Sequence, residues 1–499
     1  MSTLKDDVSR RRMSAVLIVT CALFFSACAA NAQVIGGYSY TTVDCPGYVH
    51  ATGVNGINNF GIVVGETSDF AFTAAMQSNG TYACSQLPAP SNGFGITPTG
   101  INDAGVIVGL AGSPDGTVNE AFVLTPPYSP TAYTFIAHPL PYTGTNGRAI
   151  SNAGVIVGET YGPSGEVGYV YDLSTGQFTD IAFPNATTVA WGINTAGVVV
   201  GEYRPSTGGV VGFSFDTATN TTTSIDICIH PYPSTRVRGI NDAGLMAGWL
   251  RIGSDAAFEG WVGNPVGDPA CSGPTSGYTI TNPPAIQASI QLGNGGQVDV
   301  LGLNNSGQIS GGFTFDAFAT VDGFVGTPAQ PTAAGSDVTV SAGTVGPATV
   351  SLTFANITSG GSTTVTQIDP SVANSLPGGY ALAGSNVAFD ISTTATYSTP
   401  PPITIAFELP SLDPATFATL QIFHNESGNW VNVTATTPPP DPTTQTIYAS
   451  VSSLSPFAIA VQLPTLTSQC KGNGWKAFTV FKNQGDCVSY VATHGKNPP

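Results

Sequence analysis

Three glutamates hold matching places in this chain. Glu66, Glu159 and Glu202 each stand directly after the last glycine of a phrase that recurs along the sequence. Carboxylates gathered at one mouth can hold a hard cation through oxygen ligands, Ca²⁺ before Zn²⁺, or work as an acid and base pair. A second series precedes a proline: His138 and His230, with Cys45, Phe183 and Asn282 at matching positions. Histidine there adds a group that titrates near neutrality. The plainer reading, and the commoner state of such residues, is solvated strand-end glutamates and loop histidines. No nucleophile elbow, phosphate loop, His-Glu-x-x-His or dinucleotide fingerprint occurs. A hydrolase or lyase that draws its acids from separate loops leaves no such motif.

The phrase that positions these residues reads Gly56-Ile57-Asn58-Asn59-Phe60-Gly61-Ile62-Val63-Val64-Gly65 in its first copy. Further copies begin at Gly100, Ala149, Gly192, Gly239 and Gly302, after steps of 44, 49, 43, 47 and 63 residues. A period of that length points to a toroid of β-blades, since a unit that cannot bury its own faces must stack on neighbours. The Asn-x-x-Gly step predicts a tight turn, in which Asn and Gly both tolerate left-handed backbone. Ile57, Ile101, Ile150, Ile193, Ile240 and Leu303 are predicted to pack between adjacent sheets. Four strands per unit are expected; for the fourth unit these are 189–193, 198–203, 211–215 and the preceding 177–181. The sixth unit ends at Gly326 without an outer strand, whereas 38–46 reads as one. The N-terminal strand is therefore expected to complete the last blade, which removes two sheet edges.

Bulk composition agrees with an all-β chain of two or three domains: 499 residues, 60 Gly, 38 Pro, and strand-like Val/Ile/Thr/Phe stretches. Only 9% of residues are charged and the formal net charge is −17. That acidity excludes a general affinity for nucleic acid. Beyond residue 32 the cations are Arg148, Arg204, Arg236, Arg238, Arg251, Lys471, Lys476, Lys482 and Lys496. Every lysine of that set lies in the last 36 residues, which marks the tail as a separate module.

Residues 1–32 read as an export signal: Arg10–Arg12 are basic, 13–25 apolar, and Ala30-Asn31-Ala32 offers a small-x-small cleavage site. Two variants are weighed beside it, lipid attachment at Cys28 after Phe25-Ser26-Ala27 and a twin-arginine signal at Ser9-Arg10-Arg11. No transmembrane segment is expected in the mature chain. Six cysteines then remain, an even number that suits disulfides outside the cytosol. The expected pairs are Cys470–Cys487 within the tail, Cys228–Cys271 across the long fifth unit, and Cys45–Cys84 tying the first two units.

The repeats resemble the bacterial extracellular family called HAF, whose units read Gly-Ile-Asn-x-x-Gly-x-Ile-Val-Gly, then Gly-Phe and a Phe-Thr-x-Ile-Asp-x-Pro-Gly strand. The resemblance implies an exported repeat protein of unassigned activity and transfers no catalytic residue. The expected domains are a six-bladed β-propeller over 34–328, a linker over 329–335, an Ig-like β-sandwich over 336–463 and a small disulfide-bonded module over 464–499. A seven-bladed ring, with a blade hidden in the 63-residue step, is the alternative. Within the sandwich, Trp430-Val431-Asn432-Val433-Thr434 and Ser452-Ser453-Leu454-Ser455-Pro456-Phe457 look like a bacterial surface-protein module. Ala406 and Tyr448 stand where related modules carry a cysteine pair. The tail resembles a short Cys-Lys-x-Gly-Gly-Trp … Phe-Lys-Asn-Gln-Gly-x-Cys-Val-Ser module of exported proteins. Its aromatics are expected to form a miniature disulfide-clamped core.

The expected function is a secreted or cell-surface, non-catalytic protein whose propeller binds an extracellular glycan or surface protein, with the sandwich as spacer. The alternative is a propeller hydrolase or lyase acting on extracellular polysaccharide. The two readings place different groups at the face: mutually close acids for the enzyme, exposed Trp191, Trp249 or Trp261 for the binding ring. No cofactor is expected beyond Ca²⁺ at the glutamates.

Overall fold

In the computed structural model the described residues run from 34 to 495, without 36, 46–52, 78–79, 118, 164, 228–233, 253–256, 265–277, 281–296, 315–321, 370–375, 384–386, 401, 411, 455 and 479. The export segment with Cys28, the pair Cys228 and Cys271, His230 and Asn282 lie outside them. The chain is a β-propeller followed by a two-sheet β-sandwich and a disulfide-bonded tail.

Alternation within the phrase builds the ring. Successive side chains of a strand point to opposite faces, so neighbouring apolar residues serve different sheets. Val63 is buried in the layer that holds Val43 and Val325 of the preceding sheet, while Val64 is buried with Ile101, Ile107 and Phe122 of the following one. The pairs Ile107/Val108, Ile156/Val157 and Val199/Val200 repeat the pattern. Sheets that bear the phrase therefore share one apolar layer with each neighbour. The first consists of Gly53–Ile57, Val63–Glu66, Ala71–Met76 and Tyr82–Gln86. Three more four-stranded sheets follow in the same order. The strand Gln177–Ile181, read above as part of the fourth unit, is the outer strand of the third sheet, paired with Gly165–Asp172.

Tyr38–Thr42 pairs antiparallel with Asp322–Thr332, with Tyr40 opposite Gly326, so the beginning of the chain completes the last sheet. Cys45, just beyond that strand, is bonded to Cys84 on the outer strand of the first sheet. The sequence expectation had this bridge tying the first two units; it fastens the last sheet to the first. Residues 264–296, where a seventh blade was the alternative, are described only at 264 and Tyr278–Ile280. That strand pairs with Ala257–Gly263, and Ala247 and Val262 of the same sheet share a core with Val298 and Ile309 of the next phrase-bearing sheet.

The turn works differently from the expectation. Glycines 61, 105, 154, 197, 244 and 307 do have positive φ. The phrase asparagines do not, and their side chains act as brackets. Asn102 Oδ1 accepts from the backbone N–H of Ala104 and Val106, while its Nδ2 donates to the carbonyl of Ser151 in the next sheet. Asn58, Asn241 and Asn304 do the same, Asn194 likewise donates to the carbonyl of Asn241, and Asn304 hands its bond to Asn58, so the circuit is joined at every step but one. The relay lapses at the third copy, where Ser151 is too short to reach onward.

Residues 329–335 are no linker. Asp322–Thr332 is one strand that changes partner: through Pro328 it pairs with Tyr38–Thr42, and from Ala329 with Gly361–Gln367. Pro328 and Pro331 give the stretch its linker-like composition, yet proline is compatible with a strand wherever its missing N–H is not needed. The sandwich packs its two sheets over Leu352, Phe354, Phe389, Phe407 and Phe457, and Ala406 faces Tyr448 in register. In the tail, Cys470–Cys487 clamps the helices Thr467–Cys470 and Gln484–Ala492 around Phe478 and Phe481. Among the described residues no helix is long and apolar enough to cross a membrane.

Two outcomes test ring closure. Replacing both Cys45 and Cys84 by serine should cost about 3–4 kcal/mol, as expected for releasing a loop of this length, measured by chemical denaturation. Deleting residues 34–45 should free the edge of Asp322–Thr332 and give oligomers or aggregates in size-exclusion chromatography; a monomer with an unchanged melting point would refute closure by this strand.

Candidate functional site

Each innermost strand carries one residue too many just before the phrase. The register of its pairing shifts between Val54 and Gly56, Pro98 and Gly100, Gly147 and Ala149, Ala190 and Gly192, Val237 and Gly239, and Val300 and Gly302. A bulge of this kind re-aims the extra side chain. Here the extra residues are Asn55, Thr99, Arg148, Trp191, Arg238 and Leu301, and all six line one chamber of about 80 Å³ on the axis. The phrase isoleucines and Leu303 form a collar between this chamber and a second one of about 70 Å³, lined by the asparagine circuit. They pack between sheets as expected and narrow the axis as well. The bulge also explains the closing glycine. A Cβ at Gly65, Gly109, Gly158, Gly201, Gly248 or Gly311 would overlap a carbonyl oxygen of the adjoining innermost strand.

The three glutamates do not form an open carboxylate cluster. Glu159 and Glu202 lie inside the strands Val155–Gly162 and Val198–Pro205, each 1% exposed. Arginine holds both. Arg148 donates from Nε to Glu159 Oε2 at 2.8 Å and from Nη2 to Oε1 at 2.5 Å, and Asn146 Nδ2 adds a bond of 2.8 Å. This paired carboxylate keeps the Arg148 guanidinium above its usual pKa although burial works the other way. Glu202 faces three guanidiniums: Arg204 at 2.6 Å, Arg236 at 3.0 Å and Arg238 at 3.8 Å. Glu66 is the exception. It is half-buried, accepts from Thr97 Oγ1 at 2.8 Å, and lines a pocket of about 290 Å³ with Asp69, Phe70, Gln86 and Phe94.

Four of the five arginines beyond residue 32 thus meet near the axis. Two stand on bulges, Arg236 lies two residues before Arg238, and Arg204 two after Glu202. Indoles cover three of them: Arg148 and Arg238 lie 4.2 and 3.5 Å from the centroid of Trp191, and Arg236 lies 3.9 Å from that of Trp249. Such stacking contributes about 0.5–2 kcal/mol per contact. The tryptophans expected on an exposed flat face are therefore elsewhere: Trp249 is 8% exposed, Trp261 is fully buried, and Trp191 faces the axis. Burial pushes the Arg238 pKa down to about 10 against the pull of Glu202, and raises that of Asp299 against the pull of Arg238 and Arg236.

The position before the outer proline has another use. Cys45 bonds to Cys84. His138 Nε2 lies 3.0 Å from Asp180 Oδ1 on the next sheet, its ring packed on Phe178 and Tyr142. Phe183 stacks on Tyr203 at 4.1 Å, again on the next sheet. At the three described copies this repeat position fastens a sheet to its follower, by a covalent bond, a polar bond or a stacked ring. His138 lines neither axial chamber. Among the described residues no group of three or more His, Cys, Asp or Glu is arranged to hold a metal ion.

No protein-family model and no curated protein matches the chain. Solved structures similar to it include a virginiamycin B lyase from Staphylococcus aureus, at 11% identity and TM-score 0.34, covering 58% of this chain and 99% of that one. TolB from Acinetobacter baumannii aligns at 12% identity and TM-score 0.33, covering 47% and 55%. The Dos1 propeller aligns at 9% identity and TM-score 0.29, covering 53% and 75%. At such identities and scores nothing about function is carried over from them.

The arginine grip predicts unequal roles for the glutamates. Glu202→Gln should destabilise the fold by about 3–5 kcal/mol, because it strips buried guanidiniums of their counter-charge. Glu66→Gln should change stability by less than about 1 kcal/mol, its partner being a neutral hydroxyl. Urea midpoints at constant slope report both.

Proposed function

We propose that this is an exported, non-catalytic binding protein whose propeller recognises an extracellular glycan, with the sandwich and tail as spacer. The observation that carries the reading is the pocket between the first and second sheets. It pairs the half-buried aromatic rings Phe70 and Phe94 with the polar groups of Glu66, Asp69 and Gln86. Apolar ring faces beside a few convergent polar groups suit a sugar, whose C–H face stacks while its hydroxyls bond. Two disulfides support an oxidising destination for the chain. The rival hydrolase or lyase has weaker support, because Glu159 and Glu202 are neutralised by arginine and an ion-paired carboxylate is a poor general acid.

A glycan array probed with the chain lacking residues 1–32, with and without added Ca²⁺, tests this. Binding should concentrate on a family of related glycans and fall by at least about tenfold in Phe70→Ala and Glu66→Gln. Release of shortened or unsaturated sugars from a bound polysaccharide would decide for the enzyme instead. Capture of no glycan at all would end the reading.

A further inference from the structure

Arg238 is 8% exposed, lines the axial chamber, and offers Nε and Nη1 to no hydrogen-bond partner. Its nearest counter-charge, Glu202, lies 3.8 Å away and already serves Arg204 and Arg236 at shorter range. The indole Nε1 of Trp191, lining the same chamber, is likewise buried without an acceptor. Buried donors are ordinarily satisfied, and a buried charge is ordinarily paired. Three unused N–H donors on the chamber wall therefore define a place for a further acceptor, since Glu202 Oε2 lies within ion-pair range of Arg238 but makes no hydrogen bond. The nearby acceptor Asp299 Oδ1 is itself buried and unbonded, so it does not fill that place.

We propose that the axial chamber is a binding site for a small oxyanion, a carboxylate held by Arg238 and Trp191 with Arg148 behind the indole. The chamber has room for a carboxylate group within reach of both side chains that line it, Arg238 and Trp191. One free guanidinium N–H of Arg238 and the indole N–H of Trp191 can each take one oxygen of such a group. Its source is either a free short-chain acid or the acid group of a uronic sugar. In the second case the site deepens the glycan reading by making the ligand acidic, and only that arm rests on it. The indoles and the Glu202 network hold the guanidinium in place before the anion arrives, which lowers the ordering entropy of binding.

The test titrates the full chain at fixed ionic strength with sodium acetate, sodium glucuronate and, as an uncharged control, glucose, followed by calorimetry. Acetate should bind saturably, glucose should not, and Arg238→Met should weaken acetate by at least about tenfold. The melting temperature of Arg238→Met should stay within a few degrees of the parent, because Glu202 keeps Arg204 and Arg236 at shorter range. Should that variant fail to fold, Arg238→Lys, which keeps the charge but loses the fork, should weaken acetate to a similar degree. Glucuronate binding beside acetate identifies a sugar-borne acid, and acetate alone a free acid; either sustains the site. No saturable response to acetate or glucuronate, or an undiminished one in the Arg238 variants, overturns it. Acetate binding by a chain that captures no glycan would refute the glycan reading and leave the anion site standing.

Discussion

In each phrase-bearing sheet a carbonyl of the innermost strand presses against the glycine that ends the repeat in the next strand, and only a residue without a Cβ tolerates that approach. The pressure comes from the bulge, and the bulge decides what the axis contains. It turns one side chain per sheet inward while leaving the flanking apolar residues on their inter-sheet layers. The closing glycine is thus tied to the presence of an extra residue ten positions earlier. That residue varies freely, from Asn55 to Leu301, because it meets the channel and not the packed core. A conserved frame with a variable lining is the arrangement by which a repeat ring can acquire a local site without rebuilding its fold.

Polar continuity matters as much as apolar packing. The asparagine circuit spans the turns of neighbouring sheets, each side chain satisfying its own turn and reaching the next. At the outer rim the residue before the proline supplies the second fastening. The second and third sheets, and the last and first, are therefore joined at both radii, with the apolar layers between. The arginine group departs from this economy of paired groups: Glu202 is shared among three guanidiniums, and the least served of them opens onto the axis.

Period, turn glycines and the missing outer strand made the ring and its closure legible from sequence. So did the tail bridge, whose cysteines stand close together. The sites were less legible, for physical reasons. Glu159 and Glu202 looked like solvated strand ends because reading them as loop residues ignored that their strands run on, to Gly162 and Pro205. The one signal at hand was the scarcity of arginine, four of five falling beside the phrase or beside Glu202. Without the bulge, strict alternation would not have sent Arg148, Trp191 and Arg238 to the axis. His138 resembled a chemical group, but the equivalents Cys45 and Phe183 already hinted at a joint: three unlike side chains at one repeat position share a task that chemistry alone does not set. The supposed linker failed because proline content stood in for backbone freedom, while the strand simply exchanged partners at Pro328.

That exchange of partners has a mechanical corollary. Asp322–Thr332 lies between Ile309–Thr314 and Tyr38–Thr42 at one end and is laced to the sandwich at the other. Tension applied from the C-terminal side runs along this strand and reaches the ring as shear, so that the rungs on both sides resist together and do not unzip in turn. The join between the two domains is in this sense a tendon, and the place where it anchors is the seam of the ring.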